Sequence, residues 1–399
     1  MGGVSMEWKE VRLGDIVSIK SGLAYKGAFI GKGENILLGM GCVSFKDKFL
    51  FSGARPYEAD CDDKYCVEPG DIVLATRQQS DNLPILAMPA IIPPSLKAKK
   101  IIYGTNLYKV ENHSEVTNDF LFWQLKTPDY IDYISSVKTG SVVRMVTKKN
   151  VEDYVFRCPP KEVRDRISKL LWGLDRKIEL NNKINADLEE MAQAIFKNWF
   201  VDFEPFKDGK FVDSELGMIP EGWKVGTLDE IFSLKYGKNL STSMILEKGD
   251  YPVYGANGII GYYNEFNCDK YSVLVTSRGN GSGDVSRTHH PKSFITNNSF
   301  VVEPLEHYKY IKLPFINGLF NIIDFKSYCS GSAQPQLTNK AMRNICIISP
   351  PRELVIKYCE ILQTLFSHIE CVIDENSRLS LLRDTLLPRL MSGEIEVPE

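Results

Sequence analysis

The sequence predicts an α+β protein with an internal repeat, in which each of two copies consists of a globular domain followed by a long helix. Three observations predict this fold class. Two stretches recur in the second half, the patterning changes from strand-like to helix-like after each of two Pro-Pro sites, and both helical stretches carry an apolar stripe. The 399 residues are 43% hydrophobic and 25% charged, which is typical of a folded chain of two or three domains.

The repeat is visible by direct comparison of the two halves. The stretch Glu7–Gly22 (EWKEVRLGDIVSIKSG) returns as Gly222–Gly237 (GWKVGTLDEIFSLKYG), and TGSVVRMVTKK from Thr139 returns as SGSAQPQLTNK from Ser330. The shared positions include Trp8/Trp223, Gly22/Gly237, Gly140/Gly331, Thr147/Thr338 and the pairs Pro159-Pro160 and Pro350-Pro351. This period is far longer than that of a solenoid repeat, so the pattern indicates two copies of a whole domain.

Both copies contain short β-rich runs between turn residues, together with helical patches. We therefore expect each copy to be a mixed α+β domain. The clearest runs are Asp71–Thr76, Lys100–Tyr103, Tyr271–Thr276 and Ser299–Val302, and the clearest helical patch is Asp119–Ser136.

Each Pro-Pro site is followed by about 40 residues of helical pattern, because proline is tolerated before a helix and not inside it. Apolar residues at spacings of three and four form one stripe, which predicts a long antiparallel two-helix coiled coil with an internal pseudo-two-fold repeat. Each helix would span about 50–60 Å. The predicted seam consists of Leu171, Leu174, Ile178, Asn185, Leu188, Ile195, Leu362, Leu365, Ile369, Asn376, Leu379 and Leu386.

Asn185 and Asn376 occupy the same slot of the two copies, and a buried asparagine pair there would specify register. Two surface-facing asparagines in an imperfect stripe are the alternative. The predicted organisation is a first domain at residues 1–160, a first helix at 161–200, a connector at 201–221, a second domain at 222–351, a second helix at 352–392 and a tail at 393–399.

Several kinds of chemistry are not supported by the sequence. It has no GxxxxGK[ST] loop for nucleotide hydrolysis, and its Pro-Pro sites lack the Asp/Asn-Pro-Pro-aromatic loop of an amino-methyltransferase. The five histidines lack metal-ligand spacing, so we interpret them as surface imidazoles or phosphate neighbours. No apolar run reaches the ~20 residues of a membrane span, and nine cysteines without a CxxC pair favour inert thiols in a reducing cytoplasm.

The net charge of −3, taken alone, argues against nucleic acid as a partner, but the charges are unevenly distributed along the chain. Nine Lys/Arg stand against five acids from Lys97 to Asn150, and nine against four from Lys270 to Arg343. A locally cationic segment in each copy indicates phosphate binding.

A polar loop follows the same predicted strand in both copies, after Thr76 and after Thr276, and a second polar loop precedes each Pro-Pro site. Arginine suits guanine, and asparagine or glutamine suits adenine, whereas an ordinary polar surface loop is the alternative. The predicted DNA-binding residues are Arg77, Gln78, Gln79, Arg144, Lys148, Lys149, Arg278, Asn280, Ser282, Arg287, Gln334, Gln336 and Lys340.

Four segments closely resemble the specificity subunits of type I restriction–modification systems, in the same order along the chain. They are Leu174–Pro205 (LDRKIELNNKINADLEEMAQAIFKNWFVDFEP), Glu215–Trp223 (ELGMIPEGW), Tyr254–Tyr262 (YGANGIIGY) and Gly331–Thr338 (GSAQPQLT). The first copy departs from the family pattern, with Val142-Val143-Arg144-Met145-Val146 where the second has AQPQL.

The resemblance implies two target-recognition domains that each read half of a split site in double-stranded DNA. It implies helices that measure the gap and dock two modification subunits, which bring S-adenosylmethionine and methylate adenine N6. Restriction subunits would bring ATP and Mg. The chain itself would bind no cofactor, hold no metal, have no catalytic residue and act in the cytoplasm. A coiled-coil scaffold without sequence-specific DNA binding is the alternative, and a self-sufficient methyltransferase is disfavoured by the missing loop.

Overall fold

The computed structural model describes residues 7–78, 85–246, 248–331 and 334–397. The chain forms two compact units. The first unit consists of residues 1–178 and 378–399, and the second consists of residues 179–377. Each of two long helices, α4 (Lys161–Phe200) and α8 (Arg352–Ser392), contributes one part to each unit.

The first domain contains twelve short strands and three short helices in its described residues. The strands are β1 (Lys9–Arg12), β2 (Val17–Ser21), β3 (Ile30–Leu38), β4 (Ala54–Tyr57), β5 (Cys66–Val67), β6 (Ile72–Ala75), β7 (Arg77–Gln78), β8 (Pro89–Ile91), β9 (Ile101–Tyr103), β10 (Leu107–Asn112), β11 (Arg144–Met145) and β12 (Val155–Cys158). The helices are α1 (Asn118–Gln124), α2 (Pro128–Val137) and α3 (Lys148–Glu152). The predicted helical patch is thus two helices, because Thr127 and Pro128 begin a new one.

The connector holds a hairpin of β13 (Phe211–Val212) and β14 (Ile219–Pro220), and the second domain follows it. The strands of that domain are β15 (Lys224–Thr227), β16 (Phe232–Tyr236), β17 (Tyr251–Gly255), β18 (Gly258–Tyr263), β19 (Val273–Thr276), β20 (Val285–Arg287), β21 (Phe294–Ile295), β22 (Ser299–Pro304) and β23 (Cys346–Ser349). Its short helices are α5 (Leu228–Ile231), α6 (Leu313–Ile322) and α7 (Asn339–Arg343).

Short 3-10 helices connect many of these elements. They are Leu13–Asp15, Gly27–Phe29, Met40–Cys42, Phe51–Gly53, Asp63–Tyr65, Glu204–Phe206, Thr242–Met244, Glu306–Tyr308 and Phe325–Tyr328.

The two domains share one sheet topology. A four-stranded sheet has the order β2-β10-β6-β8 in the first domain and β16-β22-β19-β20 in the second. In each domain the first strand pairs with the strand that leads into the Pro-Pro site, as β1-β12 and β15-β23. A further sheet contains a parallel pair in both, β3 with β9 and β17 with β21. The α+β class and the internal repeat predicted from the sequence are therefore confirmed.

The long helices complete the core of each domain. In the first unit, Leu171 of α4 and Leu390 of α8 lie in one hydrophobic core with residues of the first domain. In the second unit, Phe196 of α4 and Tyr358 of α8 lie in one core with residues of the second domain. The amphipathic stripe thus has two functions, because it pairs the helices and it also covers a sheet domain that would otherwise expose its apolar face.

The helices run antiparallel within each unit, as predicted. In the second unit, Asn181 contacts Asn376, whereas Phe196, further along α4, packs on Tyr358, which comes earlier in α8. In the first unit, the Asp175 carboxylate lies 2.5 Å from the Arg383 guanidinium. Among the predicted seam residues, Leu171, Leu362 and Ile369 are buried. Those that are half-buried are Leu174, Ile178, Asn185, Leu188, Ile195, Leu365, Asn376, Leu379 and Leu386.

The hydrogen-bond partners of Asn376 differ from the predicted one, Asn185. The Asn376 side chain accepts a hydrogen bond from Asn181 at 2.9 Å and donates one to Asn182 at 2.8 Å, both of which precede Asn185. Asn181 is fully buried and also donates to Glu375 at 2.7 Å. The residue of α4 that pairs with Asn376 is therefore Asn181, which lies in the stripe between Ile178 and Asn185. A search for apolar residues at spacings of three and four does not detect it, because asparagine is polar. Because an unpaired buried amide is costly, this network specifies register.

No helix in the described part of the chain is long and apolar enough to cross a membrane.

Candidate nucleic-acid interface

The two polar loops of the first domain, distant in sequence, are hydrogen-bonded neighbours. Strand β7 pairs antiparallel with β11, so that Arg77 lies opposite Met145 and Gln78 lies opposite Arg144. We call residues 76–78 and 139–147 the first loop pair. Cross-strand partners point to the same side of an antiparallel ribbon, so one side carries Arg77 and Met145 and the other carries Gln78 and Arg144.

The second domain contains the same arrangement. A bridge joins Arg278 to Gln336, and the Leu337 amide donates to the Ser277 carbonyl at 2.9 Å. We call residues 276–284 and the described part of residues 330–338 the second loop pair. The main chain joins the same two segments in both domains, so proximity of the loops is a property of the repeated fold.

Each loop pair is held in one backbone conformation by the repeated glycine. Gly140 has φ +91° and Gly331 has φ +92°, where a side chain is strained. The turn after each glycine is closed by two backbone hydrogen bonds, between Thr139 and Met145 at 2.9 Å and between Ser330 and Gln336 at 2.8–2.9 Å. The two turns therefore share the same glycine conformation and the same pair of closing hydrogen bonds.

A short helix begins directly after each loop pair. The Thr147 hydroxyl accepts a hydrogen bond from the Asn150 amide, and the Thr338 hydroxyl accepts one from the Ala341 amide. These are N-caps, so both repeated threonines have a structural role. The lysines beyond them, Lys148, Lys149 and Lys340, are exposed.

The structure distributes the predicted DNA-binding residues over three environments. Exposed at or beside the loop pairs are Arg77, Lys148, Lys149, Arg278, Asn280, Gln334 and Lys340. Half-buried are Arg144, whose guanidinium donates to the Gly140 carbonyl, and Gln336. Buried are Gln78, Ser282 and Arg287, whereas Gln79 lies outside the described residues.

The structure gives Gln78 and Ser282 a role other than the predicted DNA contact, because the buried side chains of both accept hydrogen bonds from backbone amides of the fold. The Gln78 side-chain oxygen accepts a hydrogen bond from the Leu86 amide at 3.1 Å. The Ser282 hydroxyl accepts one from the Leu337 amide, also at 3.1 Å. Both side chains are about 5% exposed or less, so neither presents its polar atoms to a duplex.

Arg287 also has a different role from the predicted one. It is 6% exposed, its guanidinium lies 3.0 Å from the Glu189 carboxylate of α4, and it stacks over the Phe366 ring of α8 at 5.2 Å. It therefore ties β20 of the second domain to both long helices. A count of charges along the chain could not reveal this, because it does not show which face of a strand packs on a helix.

His289 and His290, which follow Arg287 in the chain, do not supply positive charge for binding phosphate. Burial lowers the pKa of His289 to about 4, and the Arg287 charge lowers it further. Burial also lowers the pKa of His290, whose ring lies 3.5 Å from the Tyr254 hydroxyl. Both imidazoles are therefore neutral near pH 7. Within the described ranges, no group of three or more His, Cys, Asp or Glu side chains could hold a metal ion.

The first domain is attached to the helices by an anchor that sequence reasoning missed. Asp175 of α4 is 5% exposed and lies 2.5 Å from the Arg383 guanidinium of α8 and 2.9 Å from the Lys48 ammonium. Lys48 also lies over the Trp172 ring at 4.8 Å. One signal was available, since Arg383 occupies the stripe slot between Leu379 and Leu386. A charge in an apolar seam indicates a buried partner.

Comparison with known proteins agrees with this architecture. The family model of the type I restriction modification DNA specificity domain matches residues 6–190 and 220–379, well over half of the chain. The chain therefore belongs to the type I restriction–modification DNA specificity family, with two target-recognition domains. The resemblance found in the sequence is confirmed.

Individual relatives match over much of their length. The type I restriction enzyme MjaIX specificity subunit of Methanocaldococcus jannaschii is 27% identical over 71% of this chain and 70% of its own length. The HindI specificity subunit of Haemophilus influenzae is 24% identical over 98% of this chain and 100% of its own. The crystal structure of an S subunit from M. genitalium has a TM-score of 0.52 at 19% identity, covers 98% of each chain, and shows a shared fold.

Proposed function

We propose that this chain is the non-catalytic DNA sequence-specificity subunit of a type I restriction–modification complex and reads an asymmetric bipartite target. The observation that carries the proposal is the repeated loop pair, with an exposed arginine at the same place in each domain, Arg77 and Arg278. Each domain reads one half of the target. The relatives named above are specificity subunits, which supports the same assignment.

The exposed lysines and the exposed arginine and amide side chains would contact different parts of the DNA. Lys148, Lys149 and Lys340 follow the loop pairs on short helices and would contact phosphates, which position a protein on DNA without selecting a sequence. Arg77, Arg278, Asn280 and Gln334 carry planar donors suited to base edges.

The chemistry of methylation and cleavage belongs to partners in this proposal. The helix pair docks two modification subunits, which bring S-adenosylmethionine and methylate adenine N6, and restriction subunits bring ATP and Mg. The chain supplies sequence recognition and the spacing between the two reading domains.

The alternative is a coiled-coil scaffold whose basic loops are only solvated. Full-length chain with its modification subunit should shift a bipartite duplex that carries its methylated motif more strongly than a scrambled duplex, and the shift should weaken with salt. The motif comes from methylome sequencing of cells that carry both proteins. Equal binding to both duplexes at every salt concentration would favour the scaffold.

The methylome also tests asymmetry. Apart from the shared arginine, Arg77 and Arg278, the two loop pairs present different side chains. The first has Val143 and Met145 where the second has Gln334 and the half-buried Gln336. Since different side chains read different bases, we expect two unlike half-sites. A palindromic motif contradicts this expectation.

Arg278→Ala should cost about 1–3 kcal/mol of binding free energy and relax selectivity in the second half-site only. Binding to duplexes with each base of both half-sites varied is the measurement. Lys340→Ala is the matched control, because loss of a phosphate contact weakens binding to all sequences alike and lowers the salt dependence. Arg278 would be a phosphate contact instead if its variant behaved like the control.

A further inference from the structure

The first loop pair exposes apolar side chains among its charged residues. Val142 is 82% exposed, Met145 is 40% exposed and Val143 is 37% exposed, all within four consecutive residues at the turn. One exposed apolar residue on a surface is ordinary, but three at the tip of one loop form a patch that water solvates poorly. We call Val142, Val143 and Met145 the apolar tip.

The strand register indicates the side of the ribbon on which Met145, one residue of the apolar tip, lies. Met145 lies opposite Arg77, and both are exposed, so they share the outer side of the ribbon. Gln78 and Arg144 share the other side, where Gln78 is buried. The outer side of the first loop pair therefore presents a thioether next to a guanidinium.

The backbone of this turn is closed by hydrogen bonds and by a glycine. Met145 exchanges two backbone hydrogen bonds with Thr139, both 2.9 Å long. A Cβ added to Gly140 would lie 2.1 Å from the Val143 carbonyl oxygen, so only glycine allows the turn to close this tightly. The apolar side chains cannot turn inward without breaking this turn.

We propose that the apolar tip reads the C5-methyl group of a thymine in the first half-site, beside a base contacted by Arg77. The proposal rests on the proposed function. Charge complementarity favours a duplex as the occupant, because Arg77 lies opposite Met145 and the exposed Lys148 and Lys149 follow the turn within four residues. Of the groups that base edges present in the major groove, the thymine methyl is the apolar one, and apolar side chains contact it.

The second domain offers a natural comparison. The residue at the Met145 position is Gln336, which lies opposite Arg278. Glutamine reads adenine by two hydrogen bonds, whereas methionine has no donor, accepts only weakly at sulfur and offers mainly apolar contact at that place. The two domains therefore share one frame and differ in the chemistry by which they read.

The experiment replaces thymine by uracil, which lacks only the C5-methyl. Full-length chain with its modification subunit is titrated with duplexes of the methylated motif in which each thymine of each half-site, on either strand, is changed to deoxyuridine. One uracil in the first half-site should weaken binding about three- to fivefold, the effect of one methyl group returned to water. Met145→Gln should abolish that sensitivity.

Met218→Gln is the matched control, because Met218 is a 55% exposed methionine of the connector, outside both the loop pairs and the long helices. It should keep the full response to uracil. The proposal is overturned if no first-half uracil weakens binding, or if Met145→Gln remains as sensitive as the unchanged protein. It is also overturned if Val142→Asp prevents assembly with the modification subunit, because the tip would then contact protein. If the unchanged complex does not distinguish motif from scrambled DNA, the proposed function itself fails.

Discussion

Asp175→Ala is expected to destabilise the first unit by about 3–5 kcal/mol, the typical loss when one partner of a buried ion pair is removed. Asp175 contacts Arg383 at 2.5 Å and Lys48 at 2.9 Å, and the side chains of both cations are less than a fifth exposed. Removing the carboxylate takes away the buried anion that both cations share and leaves Arg383 with the exposed Asp384 at 2.9 Å. The loss should therefore exceed that of any surface pair.

Hydrogen exchange of the native protein, followed by mass spectrometry, should detect this loss as faster exchange in the first unit. Asp165→Ala on the same helix is the control. Asp165 is half-exposed, its ion pair with Lys161 spans 3.7 Å, and its removal should change stability by less than 0.5 kcal/mol.

A combined variant tests the physical cause. Asp175→Leu with Arg383→Met and Lys48→Met removes all three charges together, and apolar side chains of similar size should restore most of the stability. If Asp175→Ala exchanged as slowly as Asp165→Ala, the pair would contribute nothing to the attachment of the first domain.

Phe196→Ala is expected to destabilise the second unit by about 3–5 kcal/mol. Phe196 of α4 is 1% exposed, and its ring lies 4.9 Å from Phe200, 5.4 Å from Phe315 and 5.8 Å from Tyr358. This aromatic cluster joins α4, α6 and α8, so a cavity there loosens the domain and its helices together. Met191→Ala, at a 53% exposed position five residues earlier on α4, should cost far less.

Gly318 supplies a reciprocal test of the same contact. A Cβ at Gly318 of α6 would lie 2.1 Å from the Phe196 ring, so Gly318→Ala should be destabilising on its own. In the Phe196→Ala background the same methyl enters the space left by the ring and also favours the helix. Gly318→Ala should then become neutral or stabilising. Additive losses in the double variant would show that the two residues do not touch.

Local sequence signals predicted the parts of the fold that local chemistry controls. The Pro-Pro sites indicated where the long helices begin, because proline ends a strand and precedes a helix without interrupting it. The matched Gly140/Gly331 and Thr147/Thr338 proved to be a left-handed turn and a helix N-cap in both domains. Such positions are recognisable because one residue type suits one backbone geometry.

Residue-level roles were harder to predict where a side chain's direction depends on register. Gln78 and Arg77 are neighbours in the chain, yet one is buried and the other exposed, since alternate residues of a strand face opposite sides. The direction of the Arg287 side chain also depends on its place in a strand. At the end of β20 it faces Glu189 and Phe366 of the long helices. No count of charges could distinguish these directions.

The sequence by itself determined that one domain-and-helix plan occurs twice, that the helices carry a seam, and that each domain has two polar loops beside a basic segment. Only the tertiary structure decided that the two loops of each domain form one pair, that Asn376 bonds to Asn181, and that Asp175 and Arg287 anchor the domains to the helices. The physical reason is sequence separation. Periodicity and capping act within a few residues, whereas strand pairing and buried ion pairs join residues more than 50 positions apart, whose partners are chosen by packing.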